Sequence, residues 1–174
     1  ADMYALMKWR PSLFIPMRPD VPGVRIGIVG VPDVMRTVRS LLVLLGLFAD
    51  AINEVVIISD KSQPFSEGQR EELESAGLTL RISDDFDKEL PDLDVVYINS
   101  IAWVGDDYEE LGSQYSLNQS SHLKKDAIIL HPLARGRELS REFDDTPYNW
   151  YFAQARGAVF MRMALLSSIM KNFT

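Results

Sequence analysis

The 174-residue sequence contains no cysteine, two histidines and no apolar run approaching the roughly 20 residues needed to span a bilayer. Without cysteine, disulfide bonds and thiolate chemistry are excluded, and a reducing compartment fits this composition. His122 and His131 are too far apart to form a cluster with metal-ligand spacing, so we predict no metal site. The net charge of −7 gives nucleic-acid binding no electrostatic support.

The N-terminus, Ala1-Asp2-Met3-Tyr4, lacks the charged and apolar regions of a signal peptide. We therefore expect a cytoplasmic protein with no membrane attachment. Because the first residue is not methionine, the chain is expected to be a fragment or a processed product.

Short apolar stretches alternate with helical patterns along the chain, which is typical of a parallel sheet covered on both faces. The predicted strands are 24–29, 54–59, 78–82, 93–98 and 127–130. The predicted helices between them are 2–10, 33–48 and 66–77, the last with a capping box formed by Ser66 and Gln69. The sequence therefore predicts an α/β fold, a three-layer α/β/α domain with a five-stranded parallel sheet.

The C-terminal region predicts two more helices. Thr146 followed by Pro147 is a favourable start for the first, and Gly157 is expected to break it before a second, amphipathic helix. An aromatic stripe on the first helix is predicted to lie in the core: Tyr148, Tyr151 and Phe152.

The segment after the first predicted strand, 30–40, is one candidate site, because open α/β sheets bind ligands beyond the carboxyl ends of their strands. It matches neither G-x-G-x-x-G nor the P-loop pattern, so a nucleotide-binding domain is only an alternative, which a melting-temperature shift with ATP or NAD would favour. Arg36 lies at a helix N-terminus, where a guanidinium suits a planar carboxylate. Alternatively, Arg36 is a surface arginine paired with a nearby acid.

Four motifs in the C-terminal third occur together in one known family. They are His131-Pro132-Leu133-Ala134-Arg135, Asp145-Thr146, Tyr151-Phe152-Ala153-Gln154 and Arg162-Met163-Ala164-Leu165-Leu166. This combination resembles the aspartate-binding C-terminal domain of the aspartate/ornithine carbamoyltransferases. The ornithine branch carries His-Cys-Leu-Pro at the first motif, so His131-Pro132-Leu133 favours the aspartate branch.

The resemblance implies substrate-binding roles for five residues. Arg36, beside Thr37, would bind a carboxylate of aspartate, and the Leu133 carbonyl would accept a hydrogen bond from its amine. His131 and Arg135 belong to the same substrate-binding motif as Leu133. The family uses no metal or organic cofactor, and we assign no catalytic residue to this chain.

Several residues depart from the family pattern. Ser100 and Ala102 stand where the family has the arginine and glutamine that bind the second carboxylate, so L-aspartate is expected to bind weakly or not at all. Ala134 replaces a proline that follows a cis peptide bond in the family. Because a cis bond to a non-proline residue costs about 3 kcal/mol, we predict a trans Leu133–Ala134 peptide and a relaxed loop.

The resemblance also predicts the domain organisation. Residues 1–23 would form an interdomain helix and a proline-rich connector, and 24–174 the amino-acid-binding domain. The carbamoyl phosphate-binding half of the family is missing from these residues, so a domain or chain of that kind is an expected partner, and a homo-oligomer is expected. Apolar side chains awaiting that partner should be exposed on two helices: Met3, Leu6 and Met7 on the first, and Phe160 and Met163 on the last.

Two functions stay open at this point. The chain could be half of an aspartate carbamoyltransferase, which makes N-carbamoyl-L-aspartate for pyrimidine synthesis and would be inactive as this chain alone. It could instead be a non-catalytic paralogue that serves assembly or partner binding. A Ser-x-Arg-Thr-Arg motif upstream of Ala1 in the gene would favour the enzyme.

Overall fold

A computed structural model describes residues 1–14, 22–99 and 115–171. Its centre is a five-stranded, fully parallel sheet with the strand order β3-β2-β1-β4-β5, which confirms the predicted fold class. The strands are β1 (Val24–Val29), β2 (Ile52–Ile58), β3 (Leu80–Ser83), β4 (Val95–Ile98) and β5 (Ile128–Leu130). The chain leaves β1 toward β2 and β3, then returns to the other side of β1 for β4 and β5, so the strand order reverses between β1 and β4.

The helices are α1 (Asp2–Trp9), α2 (Pro11–Phe14), α3 (Arg36–Gly46), α4 (Gln69–Ser75), α5 (Phe86–Glu89) and α6 (Tyr151–Lys171). The capping box before α4 is present, because the Ser66 N–H donates to Gln69 Oε1 at 3.1 Å. Gly77, just beyond this helix, adopts φ +96°, a conformation that favours glycine. The predicted helix 33–48 is shorter at both ends than expected, since it spans Arg36–Gly46.

The core lies on both faces of the sheet because successive strand residues point to opposite faces. One face, covered by α1, α3 and α4, contains Ile26, Ile28, Val55, Ile57, Val95 and Tyr97. The other, covered by α5 and by parts of the segment 115–143, contains Val29, Val56, Ile58, Val96, Ile98 and Ile129. Within the described residues, no helix is long and apolar enough to cross a membrane.

The first helix packs into the core, and the prediction of an exposed patch on it was wrong. Met3 is 9% exposed and Leu6 1% exposed, and Met7 packs against the same cluster. The apolar face of α1 meets the sheet and α3, which explains why it is covered. On α6 the expectation was correct, since Phe160 is 51% and Met163 58% exposed.

The helix α6 begins later than predicted and runs without a break through Gly157. It begins at Tyr151 because residues 148–150 pair with β5: the Ile129 N–H donates to the Tyr148 carbonyl at 2.8 Å, and the Trp150 N–H to the Ile129 carbonyl at 3.3 Å. The Thr146 hydroxyl donates to the Phe143 carbonyl instead of capping a helix.

Gly157 serves close helix packing instead of helix termination. A Cβ at this position would overlap the ring of Tyr4, so the glycine allows α1 to lie directly against α6. The predicted aromatic core stripe is correct for Tyr151, which is fully buried, and wrong for Phe152, which is 47% exposed. Tyr148 packs at the edge of the core.

Candidate functional site

Three loops leave the carboxyl edge of the sheet side by side. They follow Val29 of β1, Ile98 of β4 and Leu130 of β5. These three strands are parallel neighbours about 4.8 Å apart, so the residues that follow them lie at the same edge of the sheet. Ligands bind at this edge of open α/β sheets, beside the point where the strand order reverses. Here that point lies between β1 and β4.

The loop after β1 is filled by its own methionine. Gly30 adopts φ +139°, and a Cβ on it would overlap the Met35 sulfur. The Val31 N–H donates to Met35 Sδ at 3.2 Å. The side chain of Met35 therefore covers the glycine and uses a backbone donor that would otherwise be free for an anion.

Arg36 and Thr37 open α3 at this edge. Arg36 is exposed, and among the described residues it pairs with no carboxylate, so the alternative of a surface ion pair is not seen there. The Thr37 hydroxyl accepts from Asn99 Nδ2 at 2.7 Å, which ties the start of α3 to the end of β4. An unpaired guanidinium at a helix N-terminus, where the helix dipole is positive, can bind a carboxylate.

His131, directly after β5, is 1% exposed, and its backbone N–H and both ring nitrogens have hydrogen-bond partners. The backbone N–H of His131 donates to Gln154 Oε1 at 2.8 Å, and the ring Nε2 lies 2.9 Å from Glu138 Oε1. Its Nδ1 accepts from the Leu133 N–H at 2.8 Å. Gln154 also donates to Asp2 Oδ1 at 2.6 Å, so this loop is linked to both α6 and α1.

Glu138 is a buried carboxylate that the sequence did not single out. Its Oε1 accepts from the Gly136 N–H at 2.7 Å as well as facing His131, while its Oε2 has no hydrogen-bond partner. Burial alone would raise the pKa of Glu138, but the hydrogen bonds from His131 and Gly136 outweigh it and lower the pKa. The side chain is therefore ionised at neutral pH.

The Leu133–Ala134 peptide is cis, so the prediction of a trans peptide and a relaxed loop was wrong. The loop is fixed on both sides of this bond, by the Leu133 N–H on His131 and by the Gly136 N–H on Glu138. These contacts were not visible in the sequence, where only the missing proline could be judged. Among the described residues, no donor reaches the Leu133 carbonyl oxygen.

Arg135 is held by an acid and two aromatic rings. Its guanidinium makes a bidentate pair with Asp144, with Nη2 2.6 Å from Oδ2, and the Tyr151 hydroxyl donates to the same carboxylate at 2.6 Å. It also lies 5.5 Å from the ring centre of Tyr151 and 6.0 Å from that of Phe152. Arg135 therefore anchors the loop to the start of α6, through Asp144 and not through the motif residue Asp145.

The hydrogen bonds from Arg135 lower the pKa of Asp144 to about 2. A carboxyl group whose pKa is lowered by folding stabilises the fold at pH values above its unfolded-state pKa of about 3.9. This contribution is lost as the pH falls toward the folded-state pKa. We expect Asp144→Asn to lower the free energy of unfolding by about 2 kcal/mol at pH 7. Urea unfolding from pH 7 to pH 2 should show this difference shrinking below pH 4.

Asp145→Asn is the matched control, because this substitution removes the same charge at an exposed position. It should change the free energy of unfolding by less than about 0.5 kcal/mol. Equal losses in the two variants, or a loss in Asp144→Asn that does not depend on pH, would contradict the role given to Arg135.

The remaining predicted positions, Ser100 and Ala102, lie outside the described residues. Their consequences for aspartate binding stay predictions.

Residues 22–169 match the family described as aspartate/ornithine carbamoyltransferase, Asp/Orn binding domain. The chain belongs to this family. It is 33% identical to the aspartate carbamoyltransferase catalytic subunit of Methanopyrus kandleri, over 97% of this chain and 53% of that protein. The chain thus spans about half the length of the curated relatives it matches.

Solved structures agree with the carbamoyltransferase assignment. The catalytic subunit of M. jannaschii aspartate transcarbamoylase superposes with a TM-score of 0.79 at 26% identity, over 97% of this chain and 56% of that chain. Aspartate transcarbamoylase from Trypanosoma cruzi, in complex with aspartate and phosphate, gives a TM-score of 0.72 at 26% identity, over 94% of this chain and 52% of that chain.

The carbamoyltransferase motifs located part of the site. They identified the His131–Arg135 loop and the start of α3, which the topology brings to one edge of the sheet. They missed Glu138, Asp144 and Asn99, which hold those segments in place. The sequence offered one signal for such partners, which is that the acidic residues Glu138 and Asp144 lie within nine positions of Arg135.

Proposed function

We propose that this domain is the amino-acid-binding half of an aspartate carbamoyltransferase. In that reaction the amine of L-aspartate attacks the carbonyl carbon of carbamoyl phosphate and loses a proton. The bond from that carbon to the phosphate oxygen breaks, and N-carbamoyl-L-aspartate and phosphate are released. The observation that carries the proposal is the carboxyl edge of the sheet, where Arg36 and the Leu133 carbonyl have no partner among the described residues.

These two groups match the two ends of an amino acid. Arg36 offers a guanidinium that can bind a carboxylate by two hydrogen bonds. The Leu133 carbonyl can accept from an amine and so orient its lone pair. His131, Arg135 and Thr37 support these groups through contacts with the neighbouring segments. Proximity and orientation of this kind are a large part of catalysis by an enzyme that joins two substrates.

The phosphate of the second substrate needs groups from elsewhere. In the loop after β1, Met35 covers Gly30 and takes the Val31 N–H, which is then not free for an anion. In the described parts of the segments that follow β1, β4 and β5, the cations without an ion-pair partner include Arg36 and Arg137, and Arg36 is assigned to the carboxylate of aspartate. We therefore propose that a carbamoyl phosphate-binding domain or chain completes the site.

The outer end of α6 supports a partner of this kind. Its exposed apolar side chains are Val159, Phe160, Met161, Met163, Leu165, Leu166, Ile169 and Met170. The whole helix carries Arg156, Arg162 and Lys171 and no acidic residue. A surface so apolar normally contacts another protein. We propose that it packs against the carbamoyl phosphate-binding half, and that isolated copies associate through it into a homo-oligomer.

Arg36→Ala is the direct test of the amino-acid site. The chain is expected to bind L-aspartate with a dissociation constant above about 1 mM, because one carboxylate has lost its family arginine. Arg36→Ala should weaken this binding by about tenfold or more, since a charge-assisted hydrogen bond contributes about 1.5–3 kcal/mol. Titration of the isotopically labelled chain by nuclear magnetic resonance (NMR) would measure both values.

Arg39→Ala is the control, because Arg39 is already engaged by the Asp33 carbonyl and the Ser66 hydroxyl. It should leave the affinity for L-aspartate unchanged within about twofold. Submillimolar binding of L-aspartate would contradict the role given to Ser100 and Ala102. Equal weakening by Arg36→Ala and Arg39→Ala would remove Arg36 from the site.

The non-catalytic paralogue is the second candidate. The observation that favours it is the substitution of two aspartate-binding residues by Ser100 and Ala102. In that case L-aspartate would produce no saturable change at residues 36, 37 or 133, while association through α6 would persist.

A further inference from the structure

We propose that His131 and Glu138 are positioning residues for the acceptor amine: Glu138 fixes the tautomer of His131, and both then hold the Leu133 carbonyl in place. The inference rests on the proposed function, because it assigns the Leu133 carbonyl to the substrate amine. It adds two buried residues that never touch the substrate. His131 is 1% and Glu138 2% exposed, so neither can reach a ligand in the crevice directly.

The hydrogen bonds define the proton position on His131. Nδ1 lies 2.8 Å from the Leu133 nitrogen, whose only role is to donate, so Nδ1 must carry a lone pair. The neutral ring then carries its proton on Nε2, which donates to Glu138 Oε1 at 2.9 Å. An ionised Glu138 favours this tautomer because a carboxylate can only accept.

Both ends of the segment around the Leu133 carbonyl depend on this pair. On one side the Leu133 N–H is held by His131 Nδ1, with Leu133 at φ 52°. On the other side the Gly136 N–H is held by Glu138 Oε1 at 2.7 Å. The same carboxylate oxygen thus orients the histidine and anchors the far end of the loop. The carbonyl between these two points stays without a donor from the described residues.

Two substitutions of His131 separate positioning from simple structural pairing. In His131→Asn, the amide oxygen can take the place of Nδ1 and accept from the Leu133 N–H, but the side chain is too short for Glu138. In His131→Gln, the longer amide can reach Glu138 and leaves nothing in the place of Nδ1. The proposal predicts that His131→Asn retains the geometry of the Leu133 segment and that His131→Gln loses it. A role of His131 limited to pairing with Glu138 predicts the reverse.

The readouts are hydrogen exchange of the Leu133 amide and the affinity for L-aspartate, both by NMR on the 174-residue chain. His131→Asn should keep both within about threefold of the unsubstituted chain. His131→Gln should speed exchange of the Leu133 amide by about tenfold or more and weaken L-aspartate binding by about tenfold, the usual size of one lost hydrogen bond. The opposite order of the two variants would overturn the proposal.

A measurement on the unsubstituted chain tests the proposal even if the His131 variants do not fold. Nitrogen shifts of the His131 ring should show an unprotonated Nδ1 and a protonated Nε2, and a protonated Nδ1 would overturn the proposal. If L-aspartate does not bind the unsubstituted chain, the proposed function fails. The tautomer and the exchange of the Leu133 amide then show whether the pair positions the loop, so the two failures can be told apart.

Discussion

Replacing Gly157 with leucine is expected to lower the free energy of unfolding by about 3 kcal/mol, although leucine is the better helix former. The reason is the contact between α1 and α6, because even a Cβ at this position would overlap the Tyr4 ring. The ring cannot move far, since its centre lies 6.5 Å from that of Phe160 and α1 is anchored by Met3 and Leu6 in the core.

Two variants test this reading of Gly157. Ala155→Leu adds the same bulk to an exposed position of α6 and should change the free energy of unfolding by less than about 0.5 kcal/mol. Tyr4→Ala combined with Gly157→Ala should be at least as stable as Tyr4→Ala alone, because the overlap is gone and alanine favours the helix. Chemical denaturation measures all of these, and an unchanged stability in Gly157→Leu would show that α1 does not pack as described.

Gly157 also shows what could and could not be predicted from the sequence. A glycine within an amphipathic pattern is locally a helix breaker, and only the approach of Tyr4 from the other end of the chain gives it another role. The strands were predictable because buried parallel strands appear as continuous apolar runs such as Val55-Val56-Ile57-Ile58. Their pairing into one sheet then followed from the alternation of strands with helices.

The candidate site was predictable to the extent that backbone topology determines it. Arg36 and Leu133 lie at the same sheet edge because β1, β4 and β5 are neighbours. The side chains that hold this edge were not predictable, since Glu138 and Asp144 resemble ordinary surface acids in the sequence. The pairing of Arg135 with Asp144 in place of Asp145 depends on one turn, Arg141–Phe143, whose geometry no local pattern specified.

The second large effect is expected in turnover: the chain alone should not catalyse carbamoyl transfer, even at high L-aspartate concentration. Catalysis needs the two substrates held together and the developing charge on the phosphate stabilised. Among the described residues at the site, the guanidinium of Arg36 is assigned to the carboxylate of aspartate, and Arg137 is another arginine without an ion-pair partner there. Met35 also takes the Val31 N–H in the loop after β1, so this backbone donor is not free for a phosphate.

The expected loss is correspondingly large. Effective molarities from substrate positioning reach about 10⁵ and above, so removal of one binding half should leave no rate above the uncatalysed reaction. Addition of a carbamoyl phosphate-binding half should restore turnover, because it supplies the missing charge and covers the apolar end of α6. Variants of Arg36 should then lose activity again, whereas Arg39→Ala should retain it.

Phosphate release is the most direct measurement of this central claim. A coupled assay would follow phosphate from carbamoyl phosphate and L-aspartate with the purified chain alone, and again with a separately produced N-terminal half of an aspartate carbamoyltransferase catalytic subunit, such as that of Methanopyrus kandleri. We predict no release above the uncatalysed rate with the chain alone and Arg36-dependent release with both halves. Aspartate-dependent release by the chain alone would contradict the assignment of this domain as one half of the site.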